Sequence, residues 1–270
     1  MPELPEVEIT RRGIAPSVTG QTIVDVVVRE PRLRWPVPKD LRAVLKGRVV
    51  DRVRRRAKYL LFDCGDGSLI VHLGMSGSLR LLAKDVPPGT HDHVDLIFGN
   101  GLLRLRDPRR FGSVLWQASP AESHVLLRSL GPEPLDEAFS GEYLHRATRG
   151  RRVAIKLLLM NQAVVVGVGN IYANEALFRA GILPRARSAR LSLARCERLV
   201  AEVKQTLTDA LAAGGSTLRD FHAADGSPGY FQQSYFVYDR EGEPCRRCVT
   251  PVRMIRLGQR STFFCTGCQH

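Results

Sequence analysis

Residues 22–30 (Thr-Ile-Val-Asp-Val-Val-Val-Arg-Glu) are dense in β-branched side chains, and further short apolar runs follow at 48–54, 58–63, 68–73, 78–83, 93–98, 102–106 and 113–117. Turn signals such as Gly65-Asp66-Gly67 and Asn100-Gly101 separate them. β-branched residues fit a pleated, half-buried surface, and glycine and asparagine supply the positive φ of tight hairpins. So many short strands at close spacing predict a two-layer β-sandwich or a barrel. A short helix precedes them. Pro5 suits a first helical turn, where its missing N–H costs nothing, and Val7 and Ile9 against Arg11 and Arg12 read as the two sides of a helix ending near Gly13.

The pattern changes near Ser119-Pro120. From there to about Gly214 helical periods dominate, with Leu199, Val203, Leu207 and Leu211 on one face, and Gly131-Pro132-Glu133-Pro134 as a break. Residues 214–230 are rich in Gly, Ser, Asp and Pro and read as a loop. The predicted organisation is 1–118 for the N-terminal helix and β domain, 119–214 for a helical domain, 215–235 for a loop and linker, and 236–270 for a small terminal module.

Composition adds a partner. The 270-residue chain carries a formal net charge of +13, with a pI near 10.0, which favours a polyanion, nucleic acid before an anionic membrane. No run is apolar and long enough to span a bilayer, and the acidic, proline-bearing N-terminus is not a signal peptide, so a cytoplasmic protein with access to the chromosome is expected. The basic excess is mostly arginine; the lysines are Lys39, Lys46, Lys58, Lys84, Lys156 and Lys204. Lysine can give up its proton at working pH and arginine cannot, so a lysine kept in such a chain, Lys58 after Arg54-Arg55-Arg56 above all, is a candidate for chemistry.

Cys245, Cys248, Cys265 and Cys268 form C-x2-C-x16-C-x2-C, the spacing of a single structural Zn2+ site, whereas Cys64 and Cys196 read as small core residues. A module this small needs its metal to fold. Between the cysteine pairs, Arg253 to Phe263 reads as a β-hairpin with Gly258-Gln259-Arg260 at or near its tip, able to reach phosphates or a groove. Val166-Gly167-Val168-Gly169-Asn170 opens a helix running to about Ala180; its backbone N–H groups can hold a phosphate, with Asn170 as cap and donor and Lys156 on the preceding helix. His72-Leu73-Gly74-Met75-Ser76-Gly77 and Asp107-Pro108-Arg109-Arg110-Phe111-Gly112 offer apolar and aromatic side chains in glycine-flanked loops, the type of wedge that fills the gap left by an extruded base.

The first residues, Met1-Pro2-Glu3-Leu4-Pro5-Glu6-Val7-Glu8, supply a reactive group. Once Met1 is trimmed, Pro2 is a secondary amine, and an α-amino group titrates near pH 8, so much of it is an unprotonated nucleophile at neutral pH. Attack on a sugar C1′ gives an iminium ion whose fixed charge acidifies neighbouring C–H bonds and invites elimination. Glu3 can act as acid and base beside it, and the positive end of the helix disfavours protonation of the amine.

Together these motifs, with Arg56-Ala57-Lys58-Tyr59-Leu60 and His91-Asp92-His93-Val94-Asp95, resemble the formamidopyrimidine-DNA glycosylase family of bacterial base-excision enzymes from one end of the chain to the other. The resemblance implies an α+β, two-domain fold: an N-terminal β-sandwich, then a helical domain with a helix–two-turns–helix motif and a zinc-finger β-hairpin. It implies Pro2 as the Schiff-base nucleophile, Glu3 as proton donor in sugar opening, Lys58 as acid for β-elimination, and Arg260 for δ-elimination and phosphate. It implies DNA contacts from His72, His91, Arg109 and Arg151, a phosphate clamp of Lys156 and Asn170, and gap filling by Met75, Arg109 and Phe111. At Arg151 the family more often has lysine, and the loop from Gly215 to Tyr230 corresponds to the segment that closes over the extruded base. The implied substrate is oxidised purine in duplex DNA, 8-oxoguanine opposite cytosine and ring-opened formamidopyrimidines, or an abasic site, handled by a monomer.

Two alternatives stand beside this reading. Endonuclease VIII shares the proline chemistry but takes oxidised pyrimidines; Leu4 and the Met75, Arg109, Phe111 set favour the purine enzyme. A non-catalytic protein recognising damaged DNA would keep the zinc finger and basic surface but has no need of Pro2, Glu3, Lys58 and Arg260 together.

Overall fold

The computed structural model describes residues 2–216 and 230–270. Met1 and most of the expected loop at 215–235 lie outside the described residues. The chain divides into two compact units, Met1–Arg128 with Ala213–Tyr230, and Ser129–Ala212 with Phe231–His270.

The first unit opens with α1 (Leu4–Val18). The helix does not stop near Gly13. Leu4, Val7, Ile14 and Val18 lie on one buried stripe, and burying that stripe outweighs Gly13 and the backbone hydrogen bond that Pro16 cannot make in the last turns. Next come β1 (Asp25–Val28), a short α2 (Leu41–Leu45), and β2 (Arg52–Arg56), β3 (Tyr59–Asp63), β4 (Gly67–His72), β5 (Ser78–Leu82), β6 (Asp92–Phe98), β7 (Gly101–Arg106) and β8 (Ser113–Ala118). They form two antiparallel four-stranded sheets, in the orders β1-β6-β7-β5 and β2-β3-β4-β8. Alternate residues from both sheets (Leu60, Phe62 and Val71 from one, Leu96, Leu103 and Leu105 from the other) meet Ile14 and Val18 of α1 in one core. This is the sandwich rather than the barrel. The run at 22–30 supplies only a four-residue strand: before it, Ile23 N–H bonds to the loop carbonyl of Arg48, and the ladder with β6 begins at Val24 N–H and the Ile97 carbonyl.

The helical run expected from 119 begins late: residues 119–128 belong to the first unit and hold only the 3-10 turn Ala121–Ser123, and Gly131, Pro132 and Pro134 keep the start of the second unit free of helix. Then come α3 (Gly141–Thr148), α4 (Ile155–Leu159), α5 (Asn170–Arg179) and α6 (Leu193–Ala212). Ser140 caps α3, accepting from Tyr143 N–H at 3.1 Å. Between α4 and α5 two successive turns are bonded at Leu158/Asn161 and Asn161/Val164, and Gln162 Oε1 accepts from Gly167 N–H at 3.1 Å. The buried face of α6 is Cys196, Leu199, Val200, Val203, Leu207 and Ala210; Leu211 lies at its margin.

The terminal module is the hairpin β9 (Arg253–Leu257) and β10 (Arg260–Phe264), paired Leu257 to Arg260. Its two-residue turn is Gly258-Gln259, both at positive φ (53° and 61°), the backbone of a type I′ turn. Phe178 of α5 packs with Val237, Val252 and Phe263 in a small core around the cysteines. No helix among the described residues is long and apolar enough to cross a membrane.

Val249, directly after Cys248, sits at φ 56° and is 78 % exposed. A β-branched residue is strained in the left-handed region, and exposure returns no packing for it. Val249→Gly is therefore expected to stabilise the zinc-loaded protein by about 1 kcal/mol, read as a higher melting temperature and slower loss of metal to a chelator; an unchanged or lower melting temperature contradicts the strain argument.

Candidate catalytic and nucleic-acid site

Pro2 is buried directly before Glu3, the extended N-cap of α1. Glu3 and Glu6 form a reciprocal capping box: the Glu3 side chain accepts from the Glu6 N–H, and Glu6 Oε2 accepts from the Glu3 N–H at 2.8 Å. The other oxygen of the fully buried Glu6 accepts from Ser216 N–H at 2.9 Å. Glu6 thus holds the Pro2-Glu3 arm at the positive end of α1, the field expected to keep an amine there unprotonated.

Lys58 occupies the two-residue turn between β2 and β3, where Arg56 pairs with Tyr59. The turn is bought with strain, since Ala57 sits at φ 55°. Arg55 braces it, donating from Nη1 to the Ala57 carbonyl at 2.9 Å, while its Nε lies 3.4 Å from Glu8 of α1. Burial pushes the Glu8 carboxyl up, but hydrogen bonds from Arg11 and Arg12 overcome this and hold it below the usual range. Lys58 itself is only 7 % exposed.

His72, at the end of β4, is half-buried against Tyr59, ring centroids 4.8 Å apart. Burial, then the positive charges of Lys58 and Arg34, lower its pKa to about 4. Its Nδ1 accepts from Gly74 N–H at 2.9 Å, so the ring is neutral at physiological pH and offers an Nε2–H donor. His72 thus offers a ligand a hydrogen-bond donor, not a cation.

Met75, Arg109 and Phe111 do come together. They line one cavity of about 530 Å³ with Arg32, Arg34 and Arg110. The Arg109 guanidinium lies 4.8 Å over the Phe111 ring, which is 39 % exposed. The two loops touch: a Cβ at Gly74 (φ 65°) would lie 2.4 Å from the Phe111 carbonyl carbon, so only glycine fits there. His91 is half-buried at the start of β6 and its carbonyl accepts from Asp107 N–H. Sequence reasoning passed over Arg32 and Arg34. The available signal was the alternation in Arg32-Leu33-Arg34: Leu33 is buried, which turns both arginines outward.

In the second unit, Lys156 and Asn170 converge on the hairpin. Lys156 is fully buried; its Nζ donates to the Ser261 carbonyl at 2.9 Å and Thr262 Oγ1 at 2.7 Å. Asn170 Nδ2 donates to the same carbonyl at 3.0 Å, while its buried Oδ1 has no hydrogen-bond partner among the described residues. Asn170 is not the helix cap: Gly169 holds that position and Asn170 is the first helical residue. One turn on, Asn174 Oδ1 accepts from Phe263 N–H at 2.9 Å. Arg260, exposed, stands next to Ser261 and so beside the Lys156–Asn170 pair. Arg151 is exposed in the loop before α4 and is not part of this group of contacts.

Cys245, Cys248, Cys265 and Cys268 bring their sulfur atoms within 4.8 Å of one another, with 3.9 Å between Cys245 and Cys268 and 3.4 Å between Cys248 and Cys265. Four thiolates tetrahedrally around zinc are about 3.8 Å apart, so the donor set and its spacing fit one structural Zn2+. Bonds from Thr250 lower the Cys248 thiol, whereas burial raises Cys265 and Cys268, so a bound metal is what holds all four as thiolates.

Comparison with known proteins covers the whole chain. Residues 1–114 match the family model described as formamidopyrimidine-DNA glycosylase N-terminal domain, 130–222 its H2TH domain, and 242–270 the zinc finger found in FPG and IleRS. A formamidopyrimidine-DNA glycosylase of Aromatoleum aromaticum is 61 % identical over 269 residues, covering 100 % of this chain and 99 % of the relative. Among solved structures, a variant of Lactococcus lactis Fpg in complex with DNA containing Fapy-dG superimposes with a TM-score of 0.93 at 35 % identity, covering 100 % of both chains. The L. lactis Fpg with DNA containing an abasic site gives 0.92 at 34 %, covering 99 % of each.

The environment of His72 sets an acid limit. Its folded pKa of about 4 lies below the ordinary histidine value of 6.5, so between these values the unfolded chain binds a proton that the folded one excludes. Stability from this group is complete above pH 6.5 and falls as pH drops towards 4, by no more than about 3 kcal/mol. His72→Asn is expected to lose less stability than the parent between pH 7 and 4.5 in denaturant titrations; parallel losses contradict the assignment.

Proposed function

The chain belongs to the formamidopyrimidine-DNA glycosylase family, a base-excision repair glycosylase and abasic-site lyase for oxidised purines, and on that premise we propose which of its residues carry each step. Pro2, exposed as an imino terminus once Met1 is removed, attacks C1′ of the damaged nucleotide. The C1′–N bond breaks and the base leaves with a proton. Glu3 protonates O4′ as the sugar ring opens, which leaves an iminium ion joining Pro2 to C1′. Loss of a C2′ proton expels the 3′ phosphate, with Lys58 as acid. A second elimination, served by Arg260, expels the 5′ phosphate; water then hydrolyses the iminium, freeing Pro2 and the unsaturated five-carbon aldehyde, and a one-nucleotide gap with phosphate ends is left.

The observation that carries this reading is the buried Pro2-Glu3 arm at the start of α1, fixed by Glu6. A non-catalytic DNA-binding protein gains nothing from it. His91, Arg109 and Arg151 contact the DNA, with His72 as a neutral donor and Lys156 of α4 and Asn170 of α5 as a phosphate clamp beside the hairpin. Met75, Arg109 and Phe111 fill the duplex where the damaged base has left. Zinc, when bound, holds the hairpin that carries Arg260 and takes no part in the chemistry. The substrate is duplex DNA with an oxidised purine or an abasic site, met at the chromosome in the cytoplasm by a monomer.

Borohydride reduction during turnover tests the nucleophile: a covalent protein–DNA adduct is expected on 8-oxoguanine duplexes, and none after one residue is added ahead of Pro2. A sugar mapped to any side chain, or stronger trapping on oxidised-pyrimidine duplexes, overturns the reading. Salt dependence tests the DNA contacts. Arg109→Ala is expected to make the slope of log K against log salt shallower by about 0.9, whereas His72→Gln weakens binding at every salt concentration with the slope unchanged; a shallower slope for His72→Gln means that its ring is charged.

A further inference from the structure

We propose that Asp107 is the positioning residue that holds Met75, Arg109 and Phe111 in the arrangement needed to extrude a base. The inference rests on the gap-filling role given to those three side chains. Asp107 follows β7 directly and is fully buried in a loop that is otherwise basic, beside a cavity lined by Arg32, Arg34, Arg109 and Arg110. Facing solvent there, its carboxylate would repel DNA phosphates. Instead, each of its polar groups is turned to a different segment of the wedge.

Oδ1 accepts from Ser76 Oγ at 3.1 Å, one residue from Met75. Oδ2 accepts from Gly112 N–H at 2.7 Å, one residue from Phe111. The backbone N–H donates to the His91 carbonyl at 2.9 Å, and the carbonyl accepts from Arg110 N–H at 3.1 Å, closing the turn that carries Arg109. His93 Nε2 lies 2.8 Å from the same carbonyl. Gly112 permits the approach: a Cβ there would lie 3.0 Å from Asp107 Oδ2 and 2.8 Å from the His72 carbonyl oxygen.

An ordinary turn aspartate bonds the backbone two residues on. Asp107 reaches five residues forward and 31 back, so local turn formation does not account for it. Removing the carboxylate leaves two buried donors unmet and the loops untied, and such losses act where the loops must hold a fixed relation. That moment is base extrusion. A pre-made abasic site has no base to extrude and needs the wedge less.

Single-turnover rates on full-length zinc-loaded protein test this. Asp107→Ala is expected to slow 8-oxoguanine release at saturating DNA by about tenfold or more, with cutting of a pre-made abasic site much less affected. Asp107→Asn should restore release, because its Oδ1 accepts from Gly112 N–H and its amide donates to Ser76 Oγ. Met75→Ala/Phe111→Ala is run alongside. Should that pair release base normally, the gap-filling role itself is wrong; should it be slow while a folded Asp107→Ala is not, Asp107 has no positioning role. Equal slowing of both reactions by Asp107→Ala, or no rescue by Asn, also overturns the proposal. If Asp107→Ala does not fold, Ser76→Ala decides, since it cuts only the arm to Met75: a selective loss of base release supports the proposal and an unchanged ratio overturns it.

Discussion

A carboxylate taken out of water must be met by donors, and three such groups, Glu6, Asp107 and Glu175, organise this molecule. Each is fully buried, and each joins segments far apart in the chain: Glu6 accepts from Ser216 N–H, Asp107 from Ser76 Oγ besides the nearby Gly112 N–H, and Glu175 from the backbone at 236–238. Glu175 of α5 accepts from Phe236, Val237 and Tyr238 N–H at 2.8, 3.0 and 2.9 Å; burial raises its pKa, against the pull of those three amides. Leaving one such acceptor or its donors unmet costs about 1–3 kcal/mol. The penalty makes these carboxylates clasps: the segments they join separate only by exposing an unpaired group.

The three clasps also mark the limit of what local sequence discloses. The eight strands were legible because β-branched runs and Gly/Asn turns are local signals, and the zinc site because its spacing is. The length of α1 was misread at Gly13, since a propensity argument at one residue cannot see that Ile14 and Val18 complete a buried stripe. Asn170 has the residue type of a cap, yet its amide is drawn to Ser261, 91 positions away, and Gly169 holds the cap position. Glu6 and Asp107 sat inside recognised motifs without a role of their own, because Ser216 and Ser76 are partners that only the fold supplies.

Lysine and arginine divide along the same line. Lys39, Lys46 and Lys84 are exposed and Lys204 half-buried, whereas Lys58 and Lys156 are buried. Arginine does enter the interior at Arg104, but held in a fork by Asp95 with Nε and Nη2 at 2.8 and 2.9 Å. A guanidinium keeps its charge and wants a planar partner; an ammonium can be enclosed by carbonyl and hydroxyl oxygens, as Lys156 is, or yield its proton where chemistry asks for it. The surface charge suited to a polyanion is thus mostly arginine; of the two enclosed lysines, Lys58 is the one that composition singles out, and Lys156 the one placed beside the glycine-rich turn at 166–170.

The four-cysteine module shows how a structural metal site bears on the residues of the hairpin it closes. Cysteine pairs at both ends fix β9 and β10, but they do not fix where the hairpin tip points. That is done by a second set of bonds: Asn174 to Phe263, Lys156 and Asn170 to Ser261, each one or a few residues from Arg260. Loss of zinc would release the hairpin from one end, and loss of Lys156 would leave the Ser261 carbonyl and Thr262 hydroxyl short of a donor at the other. A Lys156 substitution therefore acts through the hairpin as well as through any phosphate, so weaker DNA binding by such a variant does not by itself measure a lysine–phosphate contact; the separation needs Thr262→Val, which removes a hairpin bond and leaves the ammonium in place.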